Sequence, residues 1–301
     1  MKTIQAIGEF GLIDRIARRI KTSKNVIVGI GDDCAVLRYN KDKYLLLTLD
    51  MLIEGVHFTL KARPQQIGHK AIAASISDIA SMGGVAKYAA ISAGLRPCLS
   101  LDFADKLFAG ISNTARRFKV DLIGGDTNHS AKLVIDVAMV GEVEKKKLVL
   151  RSRAKCGDII FTTGTLGGSI YGKHLSFTPR IKESGYLVRN YTISSMIDIS
   201  DGLAGDLWQI CKASRVGAAI YENAIPLSPR AKTLSSALND GEDFELLFTV
   251  PPRQAHKLLL KKPLWLKITR IGEITNRNSG IQLIDKRGRA RALRLKGFRH
   301  F

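Results

Sequence analysis

Apolar runs alternate with amphipathic stretches along this chain, and the alternation completes itself once and then begins again. That repetition constrains the fold more than any other feature. "NVIVGI" and "YLLLTLD" read as buried strands, "KYAAISAGL" and "VDLIGGDT" as further strands, and "LVIDVAMVGEV" (133–143) as the strand that closes a first unit. Helical spacing fills the gaps. Phe10, Ile13, Ile16, Ala17 and Ile20 share one face over 9–20, and Ile72, Ile76 and Ile79 share one over 68–84, with Gly83 and Gly84 as the stop. A third helix covers 101–118. After the basic "EVEKKKLVLRSRAKCGD" the pattern restarts with "DIIFTTGTLGG", "SSMIDISDGLAGDLWQICKAS", "GAAIYE", "DFELLFTV", "ITRIGEI" and "GIQLID". The spacing predicts helices over 228–238 and 253–261. Strands alternating with helices in both halves predict an α/β or α+β protein of two domains, 1–143 and 144–301.

The carboxylates point to chemistry. "GIGDDCAV" sets Asp32 beside Asp33 at the end of a strand, where like charges repel. A turn accounts for a lone Gly-Asp-Asp. However, aspartates recur in similar settings: Asp50 after "LLLTL", Asp126 after "LIGG", and Asp198 and Asp201 in "IDISDG". Asp78 lies inside a helix, at the border of its isoleucine stripe, an uncomfortable place for an unpaired carboxylate. Six hard oxygen donors without clustered His or Cys suit Mg²⁺ or Mn²⁺ and not zinc. Magnesium prefers to complete its shell with phosphates, which points to polyphosphate chemistry. Yet the chain has no GxxxxGK[ST] loop and no HRD/DFG set, so metal-bridged binding has to stand in for a phosphate-binding loop.

Bulk properties narrow the field. The 45% apolar content supports real cores, and no run of about 18 apolar residues suggests a membrane span. "MKTIQAIGEFGLIDRIARRI" lacks the continuous apolar core of a secretion signal, so a cytoplasmic location is expected. Cys34, Cys98, Cys156 and Cys211 are widely spaced and are expected to be small buried side chains. The net charge of +20 permits a nucleic-acid or membrane partner, or a field that steers a polyanionic small substrate. An acidic cluster would repel nucleic-acid phosphates without metal, which weighs against the first.

"GEFGLI", "GIGDDCAV", "TLDMLIEGVHF", "SISDIASMGG", "LIGGDT", "LVLRSRAKCGD", "IDISDGL" and "DGEDFELLF" occur in the order found in the thiamine-monophosphate kinase family. That family belongs to the aminoimidazole-ribonucleotide-synthetase-like ATP-binding superfamily. The resemblance runs from about residue 7 to the terminal "GFRHF". It implies transfer of the γ-phosphoryl group of ATP to thiamine monophosphate. It also implies a homodimer formed by the N-terminal sheet domain, followed by an α+β C-terminal domain. Residue by residue, it places magnesium on Asp33, Asp50, Asp78 and Asp126, with Thr48 near one ion and Asp198 and Asp201 joining from the second domain. It places the nucleotide against Gly125, Asp126, Arg151 and Ser200, and thiamine monophosphate against His57, Glu242 and Phe298. No covalent nucleophile is expected, because the attacking group is itself a phosphate. Three features depart from the family pattern: Leu49 where a hydroxyl residue is common, Asp240 where glycine is usual, and a shortened segment after Gly172.

Overall fold

The computed structural model describes residues 3–293, so Phe298 lies outside the described residues. The first half forms a six-stranded sheet of β1 (Val26–Val28), β2 (Ala35–Arg38), β3 (Lys43–Ile53), β4 (Val85–Leu95), β5 (Asp121–His129) and β6 (Val134–Glu144), in the order β1-β2-β3-β6-β4-β5. All neighbours are antiparallel except β4 and β5, whose parallel pairing requires the crossover that α3 (Leu101–Arg117) makes. Helices α2 (Pro64–Ser81) and α3 cover one face only. The strands therefore alternate: Leu46, Thr48 and Leu52 of β3 are buried, whereas Leu49 and Met51 are 61% and 53% exposed on the other face.

The second sheet comprises β7 (Ile159–Thr163), β8 (Ser195–Asp198), β9 (Gly217–Tyr221), β10 (Leu246–Val250), β11 (Ile268–Thr275), β12 (Ile281–Ile284) and β13 (Ala290–Ala292), in the order β13-β12-β9-β11-β7-β10-β8. Helices cover both of its faces, so β7 and β10 are buried at every position. Ile160 and Leu247 pack with α5 (Leu203–Ser214) and α6 (Leu234–Asn239). On the opposite face, Phe161 and Phe248 stack at 5.6 Å and pack with α4 (Ile181–Asn190) and α7 (Pro252–Lys261). The fold is thus a two-layer unit followed by a three-layer one.

Several expectations change. "NVIVGI" yields only the three residues of β1, half exposed because that strand is a sheet edge. The first helix, α1, spans Ile4–Ala17 and buries none of its residues; Gly8, at φ 63°, breaks its helical path, and Phe10 rests on Trp208 with ring centroids 5.2 Å apart. The helix expected over 228–238 shrinks to α6. Ser228 Oγ accepts the N–H groups of Arg230 and Ala231 in a turn, and Thr233 then caps the helix. Asp50 and Asp126 lie within β3 and β5 and not at strand ends. Cys34 and Cys211 are buried, but Cys98 and Cys156 sit in exposed turns.

Helix α2 joins the two halves. Its Ile67, Ile72, Ile76 and Ile79 enter the first core. The stripe Lys70–Ala74–Asp78, with Ala73, Ser77 and Ser81 beside it, runs along the second domain. Ala73 and Ala74 pack against Phe177 and Phe244, whose rings stack at 3.9 Å and 6°. Ser184 of α4 donates to the Ala80 carbonyl at 2.5 Å.

Candidate active site

The turn into the site begins at Gly31, whose φ of 124° disfavours a side chain. Asp32 follows and organises the backbone: its carboxylate accepts the N–H of Asp33 and the N–H of Arg151, both at 3.1 Å. Burial, with the neighbouring Asp33 charge, pushes Asp32 up to about 7. Asp33 turns the other way. It lies with Asp78 and Asp198 so that one ligand oxygen from each falls within 4.8 Å of the others. Two of these carboxylates come from the first domain and the third from the end of β8.

Each of the three is held by a hydroxyl. Ser81 donates to Asp33 at 2.6 Å, Thr48 to Asp78 at 2.5 Å, and Ser77 to Asp198 at 2.6 Å. The Arg151 guanidinium is hydrogen-bonded to Asp33 and lies 3.8 Å from Asp32. Burial works against the arginine's charge, but Asp33 and Asp32 outweigh it and raise its pKa. Burial raises Asp78 well above the usual carboxylate range, with Asp50, Asp198 and Asp33 adding repulsion. Asp198 is pushed up to about 8 by burial and then by Asp33. Such a group of carboxylates must hold protons or a cation. The donor set fits a hard divalent cation: it is all oxygen, three carboxylates converge, and Asp50 keeps a buried Oδ2 with no hydrogen-bond partner. Burial pushes Asp50 up to about 6.

The remaining candidates lie around this centre. Asp201 donates its N–H to the buried Asp206 at 3.1 Å. The Ser200 carbonyl accepts from Glu242 N at 2.7 Å. Asp126 lies on the exposed strand β5, outside the three-carboxylate group, and accepts from Asn128 at 2.7 Å. Gly125 beside it lies so close to β4 that a Cβ would meet the Ile91 carbonyl at 1.9 Å. Both line a cavity of about 520 Å³ with Phe108 and Ile111 of α3. His57 and Glu242 meet at another point, through Lys70: its ammonium donates to the His57 carbonyl at 2.7 Å and to the Glu242 carboxylate. Leu49 points away from all of these, on the uncovered sheet face.

Sequence reasoning missed Lys70, Ser77, Ser81 and Asp206. The first three carried a signal. They repeat at helical spacing with Asp78, opposite the isoleucine stripe, and thirteen of the 18 residues of this helix are buried. A polar stripe on a buried helix marks a second, polar neighbour.

The chain matches family models on both halves: the AIR synthase related protein N-terminal domain over residues 31–143 and the C-terminal domain over 155–284. It is 37% identical to the thiamine-monophosphate kinase of Buchnera aphidicola subsp. Schizaphis graminum, over 98% of this chain and 99% of that one. It is 34% identical to that of Bacillus subtilis, over 98% and 100%. Among solved structures, "AaThiL complexed with AMPPCP and TMP" superposes with a TM-score of 0.87 at 32% identity, covering 100% of this chain and 99% of the other. With both halves matched by the family models and nearly its whole length matched by these kinases, the chain belongs to the thiamine-monophosphate kinase family of AIR-synthase-related proteins.

Proposed function

We infer that this chain moves the γ-phosphoryl group of ATP onto the phosphate of thiamine monophosphate, giving thiamine diphosphate and ADP. The observation that carries this reading is the convergence of Asp33, Asp78 and Asp198 from two domains beside Arg151, in a chain related over its whole length to such kinases. In this reading Asp33, Asp78 and Asp198 hold Mg²⁺ (or Mn²⁺), and Thr48, Asp50, Asp126 and Asp201 contribute to binding several such ions. When bound, the metal neutralises phosphate charge at the point of transfer.

The chain's own groups do the rest. Arg151 can exchange Asp33 for phosphate oxygens, which suit the planar fork of its guanidinium. Gly125, Asp126 and Ser200 lie along the nucleotide. His57 and Glu242 face the acceptor, to which Phe298 is also assigned. No strong general base is required, because the attacking oxygen is already an anionic phosphate. We assign the uncovered face of the first sheet, with Leu49, Met51 and Tyr88 exposed, to a second copy of the chain. A domain boundary at 143/144 and a cytoplasmic location accompany this reading. No helix among the described residues is long and apolar enough to cross a membrane.

The test is turnover by the purified protein. ATP and thiamine monophosphate with magnesium should give thiamine diphosphate and ADP in equal amounts, and chelator should abolish both products. Preferred ATP consumption with another phosphorylated metabolite would overturn the choice of acceptor. Equal ATP binding with and without chelator would overturn the metal-bridged site.

A further inference from the structure

Lys70 is completely buried. A buried ammonium costs several kcal/mol of desolvation unless its charge and protons are matched. Here the charge is paired and two of the three protons have acceptors, from opposite sides of the domain seam. The His57 carbonyl belongs to the loop after β3, and the Glu242 carboxylate to the loop before β10. Glu242 is itself held in an unfavourable backbone state. Its φ is 54°, in the left-handed region that only glycine adopts without cost. Two hydrogen bonds fix it there: its N–H donates to the Ser200 carbonyl at 2.7 Å, and its carbonyl accepts from Ser169 Oγ at 2.6 Å. The strained backbone aims the carboxylate across the seam at Lys70. The Glu242 side chain still remains 24% exposed, so the ion pair does not close it off.

We propose that Lys70 is a positioning residue for the acceptor: it locks the Glu242 carboxylate and the His57 loop into one rigid recognition edge, and so sets affinity for the organic part of thiamine monophosphate. This rests on the functional reading above. The lysine is enclosed, so it is not itself a phosphate-binding cation, whereas Glu242 keeps an open edge. Its influence passes through Glu242 to the acceptor's cationic and amino groups, which a carboxylate recognises and a phosphate clamp does not. The carboxylate cluster meets α2 further along, at Ser77, Asp78 and Ser81, and keeps its own hydroxyl partners without Lys70.

Steady-state kinetics on the full-length protein test the idea. Lys70→Met should raise KM for thiamine monophosphate about 10- to 100-fold, the loss expected for a charge-assisted contact, while KM for ATP changes less than about threefold. Glu242→Gln should do the same. Because Lys70 acts through Glu242, the Lys70→Met/Glu242→Gln double variant should be no worse than the poorer single variant. The double variant removes both charges of the pair and leaves no unpaired carboxylate facing the substituted side chain, so it keeps the test alive if Lys70→Met alone does not fold: it is then compared with Glu242→Gln. Equal rises in both KM values, or additive effects in the double variant, would overturn the positioning role. A wild-type protein that does not turn over thiamine monophosphate at all would instead overturn the functional reading.

Discussion

The three converging carboxylates differ in what balances their charge. Asp78 has a hydroxyl and no cation, whereas Asp33 also holds the Arg151 guanidinium. Asp78→Asn should therefore relieve repulsion and raise the melting temperature of the metal-free protein, since the amide oxygen can still accept from Thr48. Asp33→Asn leaves Arg151 short of a partner and should lower stability by about 1–3 kcal/mol. Both should lose about 100-fold or more in turnover, as expected when charge is removed from an electrostatically driven phosphoryl transfer. Paired melting curves in chelator check this; shifts of the same sign would contradict it. The sequence places Asp33, Asp78 and Asp198 in a group of six aspartates, five at strand ends or turns and Asp78 on a helix, but does not say which three converge. Lys70 was not legible there at all. A helical lysine usually extends into water, and only the fold reveals that a second domain covers this one.

Among the elements, the segment after Gly172 is the one the sequence read least well. It appeared only as a shortening, and α4 went unnoticed because Ser184 and Leu187 are its only buried positions. Its structure shows how a short segment is anchored. Lys173 donates at 2.8 Å to the buried Glu245, and Arg180 binds the same carboxylate with Nε at 2.6 Å. Thr163 adds a third donor at 2.7 Å. Burial alone would push Glu245 up, but Arg180 and Lys173 outweigh it and hold the carboxyl below its ordinary 4.5. Its contribution to stability is thus complete above that value and is lost as pH falls through the lower folded value. Glu245→Gln should destabilise by about 2–4 kcal/mol at neutral pH, and the gap from wild type should narrow under acid. Melting temperature against pH for both proteins measures it; a gap that stays constant below pH 4.5 would refute the assignment. The helix 68–84 was easier to read because its isoleucine spacing serves a core, whereas the apolar face of α1 serves none of the described core.

The whole molecule couples these parts. Burial and mutual repulsion raise Asp50 to about 6, Asp32 to about 7 and Asp198 to about 8 from an ordinary 3.8. Raised carboxyls favour the folded state most below that ordinary value, and the benefit is lost as pH climbs through 6 to 8. Metal-free protein should therefore melt at a lower temperature at pH 8 than at pH 6, and magnesium should raise the melting temperature more at pH 8. A magnesium shift that is equal at both values would argue against the cluster as its site. Light scattering should find twice the 33.0 kDa of one chain, and Leu49→Glu with Met51→Glu on the uncovered sheet face should return it to one. The division into two α/β halves was legible from the restarted alternation, but not their two-layer and three-layer plans, nor how closely the halves meet, since seam residues such as Ala73 and Ala74 resemble ordinary helix formers. That closeness limits how far α2 can drift in sequence. Ala73 and Ala74 lie against the stacked Phe177 and Phe244. The isopropyl group added by Ala74→Leu would act as a wedge: both cores would stay intact, but Asp198 would be levered away from Asp33 and Asp78. Descendants of this chain can exchange leucines inside either core with little consequence, yet two alanine methyl groups between the halves set the gap across which the carboxylates meet.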